Sequence, residues 1–216
     1  MIKNRINQII FQTVYCVLAF IGILDSFGYF SKNFNVNFYL YYTNISNYIC
    51  AIFMLFILIK TIRESHKNIY GFCNVMPLFN FMCIILIMIT FLVYNIILVN
   101  MSFIDYFTSM SNVIMHFILP IMFILNWLLF YEHGKTKWYY PLLSFVIPIL
   151  YLMFIFIRAM ILGIDSGKFL FPYFFLDINW LGLIGVFCWV ISLLISFTII
   201  GYLIYFLDNI KRFKNL

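Results

Sequence analysis

Apolar residues run in six blocks of about twenty or more along the 216-residue chain, separated by short clusters of Lys, Arg, Asn and Gly. A helix rising about 1.5 Å per residue needs about 20 such residues to cross the hydrocarbon of a bilayer. The pattern therefore predicts membrane-spanning helices at residues 9–30, 38–59, 75–99, 109–131, 141–162 and 181–207. The fold class is an all-α, polytopic bundle of six transmembrane helices, with residues 1–216 forming one membrane domain. The longest polar stretch, 63–74, is too short to bury a core of its own. The first block follows Lys3 and Arg5, as in a signal peptide. It is longer than a signal-peptide apolar region and lacks a small-residue cleavage site, so it is expected to stay attached.

The charges orient the bundle. Lys3, Arg5, Lys60, Arg63, Lys67, Lys135, Lys137, Lys211, Arg212 and Lys214, ten of the 13 basic residues, fall on one side of it. The opposite loops hold only Lys32 and Lys168, and Arg158 lies within a span. Both termini are expected in the cytoplasm, with the chain in the cell membrane. The net charge of +6 thus follows membrane topology and does not point to a nucleic-acid partner.

Composition excludes a soluble domain, because 66% of residues are hydrophobic, 9% are charged and the mean hydropathy is +1.06. Three alanines (Ala19, Ala51, Ala159) beside 28 Phe and 16 Tyr match an AT-rich bacterial genome, which discounts the aromatic excess as a functional signal. Cys16, Cys50, Cys83 and Cys188 sit in apolar spans and Cys73 in a basic loop. Without CxxC spacing they predict neither a disulfide framework nor a metal site. No cofactor is indicated, since the chain lacks a P-loop, a dinucleotide fingerprint and a cluster of metal ligands. Gly163 and Gly167 match GxxxG, but at a span end, where helix packing does not use it. The loop 163–180 carries Phe169, Phe171, Tyr173, Phe174 and Phe175, too apolar for a free loop, and is expected to lie in the interface or fold over the bundle.

Polar groups within spans are costly and mark function by default. Asp25, Thr43, Asn95, His116 and Arg158 fall in five different spans, each about 6–10 Å below the outer boundary as drawn. Each has a structural alternative. Asp25 and Arg158 read equally as an ion pair, Asn95 as glue between helices, and a lone His as a satisfied packing residue. In the second span Tyr39, Thr43, Ser46 and Asn47 share one helical face, which predicts that this side looks into the bundle. In the fourth span Asn112 and His116 are four apart, and Pro120 follows four later. Proline has no N–H for the carbonyl of residue i−4, so the His116 oxygen is expected to be unpaired beside its imidazole. A Thr hydroxyl becomes a nucleophile when a base such as His takes its proton. Thr43 and His116 are therefore candidate catalytic residues, and Asn44, Asn47 and Asn112 are candidate oxyanion or pocket groups.

The segments Tyr42-Thr43-Asn44-Ile45-Ser46-Asn47, His116-Phe117-Ile118-Leu119-Pro120, Asn126-Trp127-Leu128-Leu129-Phe130 and Phe171-Pro172-Tyr173-Phe174-Phe175-Leu176-Asp177 resemble, in order and spacing, the bacterial six-span branch related to the androgen-induced-gene family. Characterised eukaryotic relatives are intramembrane threonine hydrolases of fatty acid esters of hydroxy fatty acids. The resemblance implies Thr43 as nucleophile and His116 as base, with membrane lipids or fatty-acid esters as partners. Asn126 stands where the family pattern has Asp, and Phe174 where it has a second Pro. Under this reading the ester enters sideways from the outer leaflet, and water arrives from outside. Arg158 holds a substrate carboxylate or headgroup, with Asp25, Tyr39 and Tyr173 also on the substrate. Two readings from other classes stand beside it. One is the substrate-binding membrane subunit of a vitamin importer, weakened by the absence of an AxxxA docking surface in the first span. The other is a non-catalytic lipid-binding membrane protein.

Overall fold

The computed structural model describes residues 4–72, 75–99, 110–163 and 168–213, with side chains through residue 210. Of the residues interpreted above, Lys3, Cys73, Gly167 and Lys214 lie outside the described residues, as do the side chains of Lys211 and Arg212. Among the described residues all regular structure is helical. Six helices are long and apolar enough to cross a membrane: α1 (Arg5–Ser26), α2 (Tyr42–His66), α3 (Pro77–Leu98), α4 (Met110–Phe130), α5 (Tyr140–Leu162) and α6 (Ile178–Phe213). The chain is a multi-pass, all-α membrane protein. Its helices gather into two compact units, Met1–Lys135 with α1–α4 and Thr136–Leu216 with α5 and α6. Each is described by itself.

The helix starts differ from the drawn spans for local reasons. α1 begins at Arg5, not residue 9, because the Asn4 side chain accepts the Ile6 N–H at 2.9 Å and caps the first turn. It ends at Ser26, where the chain turns through Gly28 at φ +85°. A Cβ at Gly28 would stand 2.0 Å from the Asn33 carbonyl oxygen, so only glycine fits. α2 begins at Tyr42 because Tyr41 is extended (φ −81°, ψ 122°) and a 3-10 turn, Phe38–Leu40, precedes it. Tyr39 is therefore outside the helix and exposed, so the expected shared face with Thr43 is corrected. At its other end α2 continues to His66, supported by a Lys60 and Glu64 pair one turn apart.

In the first unit α1 turns Arg5, Gln8, Gln12, Tyr15, Ala19 and Gly22 inward, at the three- and four-residue spacing of one helical face. Ile6, Ile10, Val14, Val17 and Phe20 cover the opposite face and are exposed to hydrocarbon. At the Arg5 end the guanidinium meets Glu64 at 2.5 Å, Gln8 Oε1 at 2.8 Å and the Ile69 carbonyl at 3.1 Å. Gln8 Nε2 donates to the Gly71 carbonyl at 3.1 Å, so the 69–71 backbone is tied across this end. Farther along α1, Gln12 Nε2 donates to Asn126 Oδ1 at 3.3 Å and Tyr15 packs edge-on against Phe123.

In the second unit Asp208 of α6 accepts from both the N–H and the hydroxyl of Thr136, and Asn209 donates to the same hydroxyl at 2.9 Å. The loop between α5 and α6 folds back as its apolar residues require. Leu170, Phe171, Tyr173, Phe175 and Leu176 are buried, and Phe174 meets Trp180 and Trp189 edge-on.

Arg5 is 4% exposed, so removing its partner strands a buried charge. Glu64→Ala is expected to cost about 3 kcal/mol in detergent unfolding, whereas the double change Arg5→Met with Glu64→Leu recovers most of it. Equal losses for both would contradict this account of the pair.

Candidate functional site

The site forms where α2, α3 and α4 meet at the end of the first unit away from Arg5, and the peptide backbone dictates its form. Pro120 has no N–H, so the one helical bond it would donate is missing: to His116 O in α register, or to Met115 O in π register. α4 widens here into a π-helical turn, Ile114–Ile118, and α3 ends in another, Val93–Leu98. Such turns are rare and are frequent at functional sites. The oxygens left by Pro120 are nevertheless paired. Asn47 Nδ2 donates to Met115 O at 3.0 Å, and Asn95 Nδ2 donates to His116 O at 3.0 Å. The expected unpaired His116 carbonyl is thus corrected: an amide from α3 replaces the lost donor.

The same amides tie each helix to itself and to its neighbour. Asn47 Nδ2 also donates to Thr43 O at 2.7 Å, and Asn95 Nδ2 to Phe91 O at 2.7 Å. Ser46 Oγ lies 3.0 Å from Thr43 O and 2.5 Å from Thr90 Oγ1, joining α2 to α3. One nitrogen of Asn47 therefore links the backbone of Thr43 to that of Met115, the residue before His116. Thr43, Ser46, Asn47, Thr90 and His116 are all buried. The His116 imidazole stacks on Tyr94 with ring centres 3.6 Å apart and planes 13° from parallel. It lies against the Asn112 backbone one turn earlier, and its buried Nδ1 meets no side-chain partner. Gly22 lets α1 reach this layer, since a Cβ there would stand 2.7 Å from Ile114 Cγ2 and 3.0 Å from Met115 Sδ.

The remaining candidates separate. Asn47 Nδ2 already donates twice to backbone carbonyls, so its expected oxyanion role is corrected to a structural one. Asn44 Nδ2 donates to Phe38 O at 2.9 Å and holds the 3-10 turn to α2. Asn112 is half-buried in the first turn of α4. Asp25 is half-buried and next to last in α1, and Thr43 is second in α2, so both sit nearer a helix end than the drawn spans implied. That end gives Thr43 a feature the sequence concealed: the first turn of α2 presents backbone N–H groups and the positive end of the helix dipole. In the second unit Arg158 Nη1 donates to the Phe169 and Leu170 carbonyls at 3.1 and 3.2 Å, so the acceptors it meets belong to the loop. Tyr173 is buried in that loop and stacks on Phe175, with ring centres 5.2 Å apart.

Sequence reasoning missed Thr90, Tyr94 and Gly22, together with the polar face of α1. Arg5, Gln8 and Gln12 do carry a signal, a polar stripe at helical spacing. Drawing the span from residue 9 divided it.

Comparison of the chain with protein-family models, with curated proteins and with solved structures gives no match.

If Asn95 replaces the donor missing at Pro120, its value depends on the proline. Asn95→Ala is expected to cost about 1–3 kcal/mol in detergent unfolding, the cost of a buried carbonyl left unpaired. In a Pro120→Ala background, where residue 120 regains an N–H, the same change is expected to cost less than half as much. Identical costs in both backgrounds would remove the coupling.

Proposed function

We propose that this chain is an intramembrane hydrolase of lipid or fatty-acid esters, with Thr43 as nucleophile and His116 as base. The observation that carries the reading is the Asn47 amide, which bonds the Thr43 and Met115 backbones and keeps the turns bearing the two residues side by side. Three further features support it. The imidazole is buried with its plane set by Tyr94. No neighbouring side chain bonds its Nδ1, which faces the Asn112 backbone. Thr43 stands in the first turn of α2, where oriented N–H groups and the helix dipole favour charge developing on oxygen.

The Thr43 Oγ1 attacks the ester carbonyl while His116 takes its proton. The tetrahedral oxyanion collapses, the alcohol leaves with the proton returned by His116, and an acyl-threonine remains. Water then adds to the acyl carbon, the bond to Thr43 Oγ1 breaks, and the free acid departs. Substrate chains reach the layer from the surrounding lipid. The positive-inside pattern supports a cell-membrane location with both termini in the cytoplasm.

A lipid-like fluorophosphonate is expected to label the purified wild-type chain and to lose at least about 100-fold in labelling rate with Thr43→Ala or His116→Ala. The two variants are also to be compared with wild type in thermal unfolding. Labelling that persists at Thr43→Ala sinks the nucleophile assignment. Absent labelling with lowered stability would favour the non-catalytic lipid-binding reading, and tight vitamin binding without turnover the importer subunit.

A further inference from the structure

The other half of the first unit contains a second polar group, built differently from the layer around His116. Gln12, Tyr15, Asn80 and Asn126, on α1, α3 and α4, are each 2% exposed or less. One bond joins two of them, from Gln12 Nε2 to Asn126 Oδ1. The complementary atoms, Gln12 Oε1 and Asn126 Nδ2, have no partner, nor do Tyr15 OH and Asn80 Oδ1. Tyr15 lies one turn beyond Gln12 and packs on Phe123, itself one turn from Asn126, so the two levels are contiguous. The Cys50 and Cys83 thiols are within electrostatic reach of the Tyr15 phenol. Cys50 in turn lies one helical turn from Ser46 and Asn47, and Asn47 Oδ1 is a further buried atom without a partner. Polar groups therefore follow one another, about a turn apart, from Gln12 to the layer that holds Thr43 and His116.

Five buried polar atoms left dry would together cost an amount comparable to a domain's whole folding free energy. They need a ligand, and their chemistry defines its class. The set mixes an amide donor with oxygen acceptors and a hydroxyl that serves as either, and it carries no formal charge. Water both donates and accepts, makes about three hydrogen bonds at each buried station and fits all five atoms, whereas a cation is opposed by the Asn126 amide nitrogen and an anion by the three amide oxygens. At the Arg5 end of the unit a cavity of about 530 Å³ is lined by the polar Asn4, Arg5, Ser65, Asn68 and Tyr70 and by the apolar Ile6 and Ile69.

We propose that the interior of α1–α4 holds a file of ordered water from the level of Gln12 and Asn126 to the level of Asn47, and that this water hydrolyses the acyl-threonine. The inference deepens the ester-hydrolase reading and rests on it for the second step alone. In that step a water oxygen bonds to the acyl carbon, its proton passes to His116 and then to Thr43 Oγ1, and the carbon–Oγ1 bond breaks.

The test uses the full chain in lipid nanodiscs. Millisecond radiolysis of bound water with mass spectrometry is expected to hydroxylate Tyr15, although the residue is fully enclosed. Replacing both partners by Gln12→Leu and Asn126→Leu is expected to lower that label about tenfold, because the two amides are the densest group of water ligands. In the same variant the acyl-threonine formed from a p-nitrophenyl acyl ester is expected to persist about tenfold longer. An unlabelled Tyr15 in the wild-type chain overturns the water file outright. A labelled Tyr15 with an unchanged acyl lifetime in the double variant overturns its role in hydrolysis. Radiolysis needs no turnover, so a chain that forms no acyl-threonine defeats the hydrolase reading while the label still decides the water file.

Discussion

Pro120 withholds one backbone donor from the carbonyls of the turn before it, Met115 and His116, and hydrocarbon offers nothing in its place. Every backbone polar group inside a bilayer must find its bond within the protein. In this chain two asparagine amides on two other helices supply it. The consequence reaches well beyond one turn. Asn47 and Asn95 each use a single nitrogen to hold their own helix and α4 together, so α2, α3 and α4 are fixed at one level by the same four bonds. α1 then closes on the assembly only because residue 22 has no side chain. The proline, the π-helical turn and the glycine are one device, and loosening any of them loosens the position of His116.

The first unit thus contains two polar regions built on different principles. Around His116, the amide donors and the Ser46 and Thr90 hydroxyls are engaged, and the helices are locked by direct bonds. Around Gln12 and Asn126, one direct bond is surrounded by atoms that need more. The first arrangement gives rigidity where a nucleophile and a base would have to hold a geometry to a fraction of an ångström. The second gives a surface that solvent can bind and leave, because bonds to water exchange where bonds between side chains do not. The proposed hydrolysis would need both, since it would consume water in a place from which water is otherwise excluded.

How much of this was legible depended on whether the cause was local. The six spans follow from composition at helix length, and each matches a helix to within a few residues at most ends. Pro120 and Asn95 were legible for the same reason: a missing N–H and a lone amide in hydrocarbon each demand a partner, whatever the fold. The helix starts were not, because they depend on a side-chain cap at Asn4 and an extended residue at Tyr41, and hydropathy registers neither. That error concealed both the position of Thr43 in the first turn of α2 and the polar stripe of α1. The Tyr94 stack and the Thr90 contact depend on which helices touch, which spacing within one helix cannot tell. The family resemblance rests on short segments, and two of them, Tyr42–Asn47 and His116–Pro120, meet through the Asn47 amide and the turn before Pro120.

The scaffold and the proposed chemistry use different atoms of the same residues. The bonds that fix α2, α3 and α4 take the backbone carbonyls of Thr43, Met115 and His116, and any residue type offers a carbonyl. Leucine at 116 would supply the same acceptor to Asn95 at a lower cost of burial. An imidazole in that position brings a polar ring into an enclosed site, stacked on Tyr94, with a nitrogen that meets no side-chain partner. Stability gives no reason for that cost, because a buried polar atom without a bond opposes folding. A group held at a stability cost in a rigid frame, beside the first turn of a helix that carries a hydroxyl, is what general-base catalysis requires. The histidine ring, and not the bonding around it, is the part of this layer that the scaffold does not require and that the proposed hydrolysis would use.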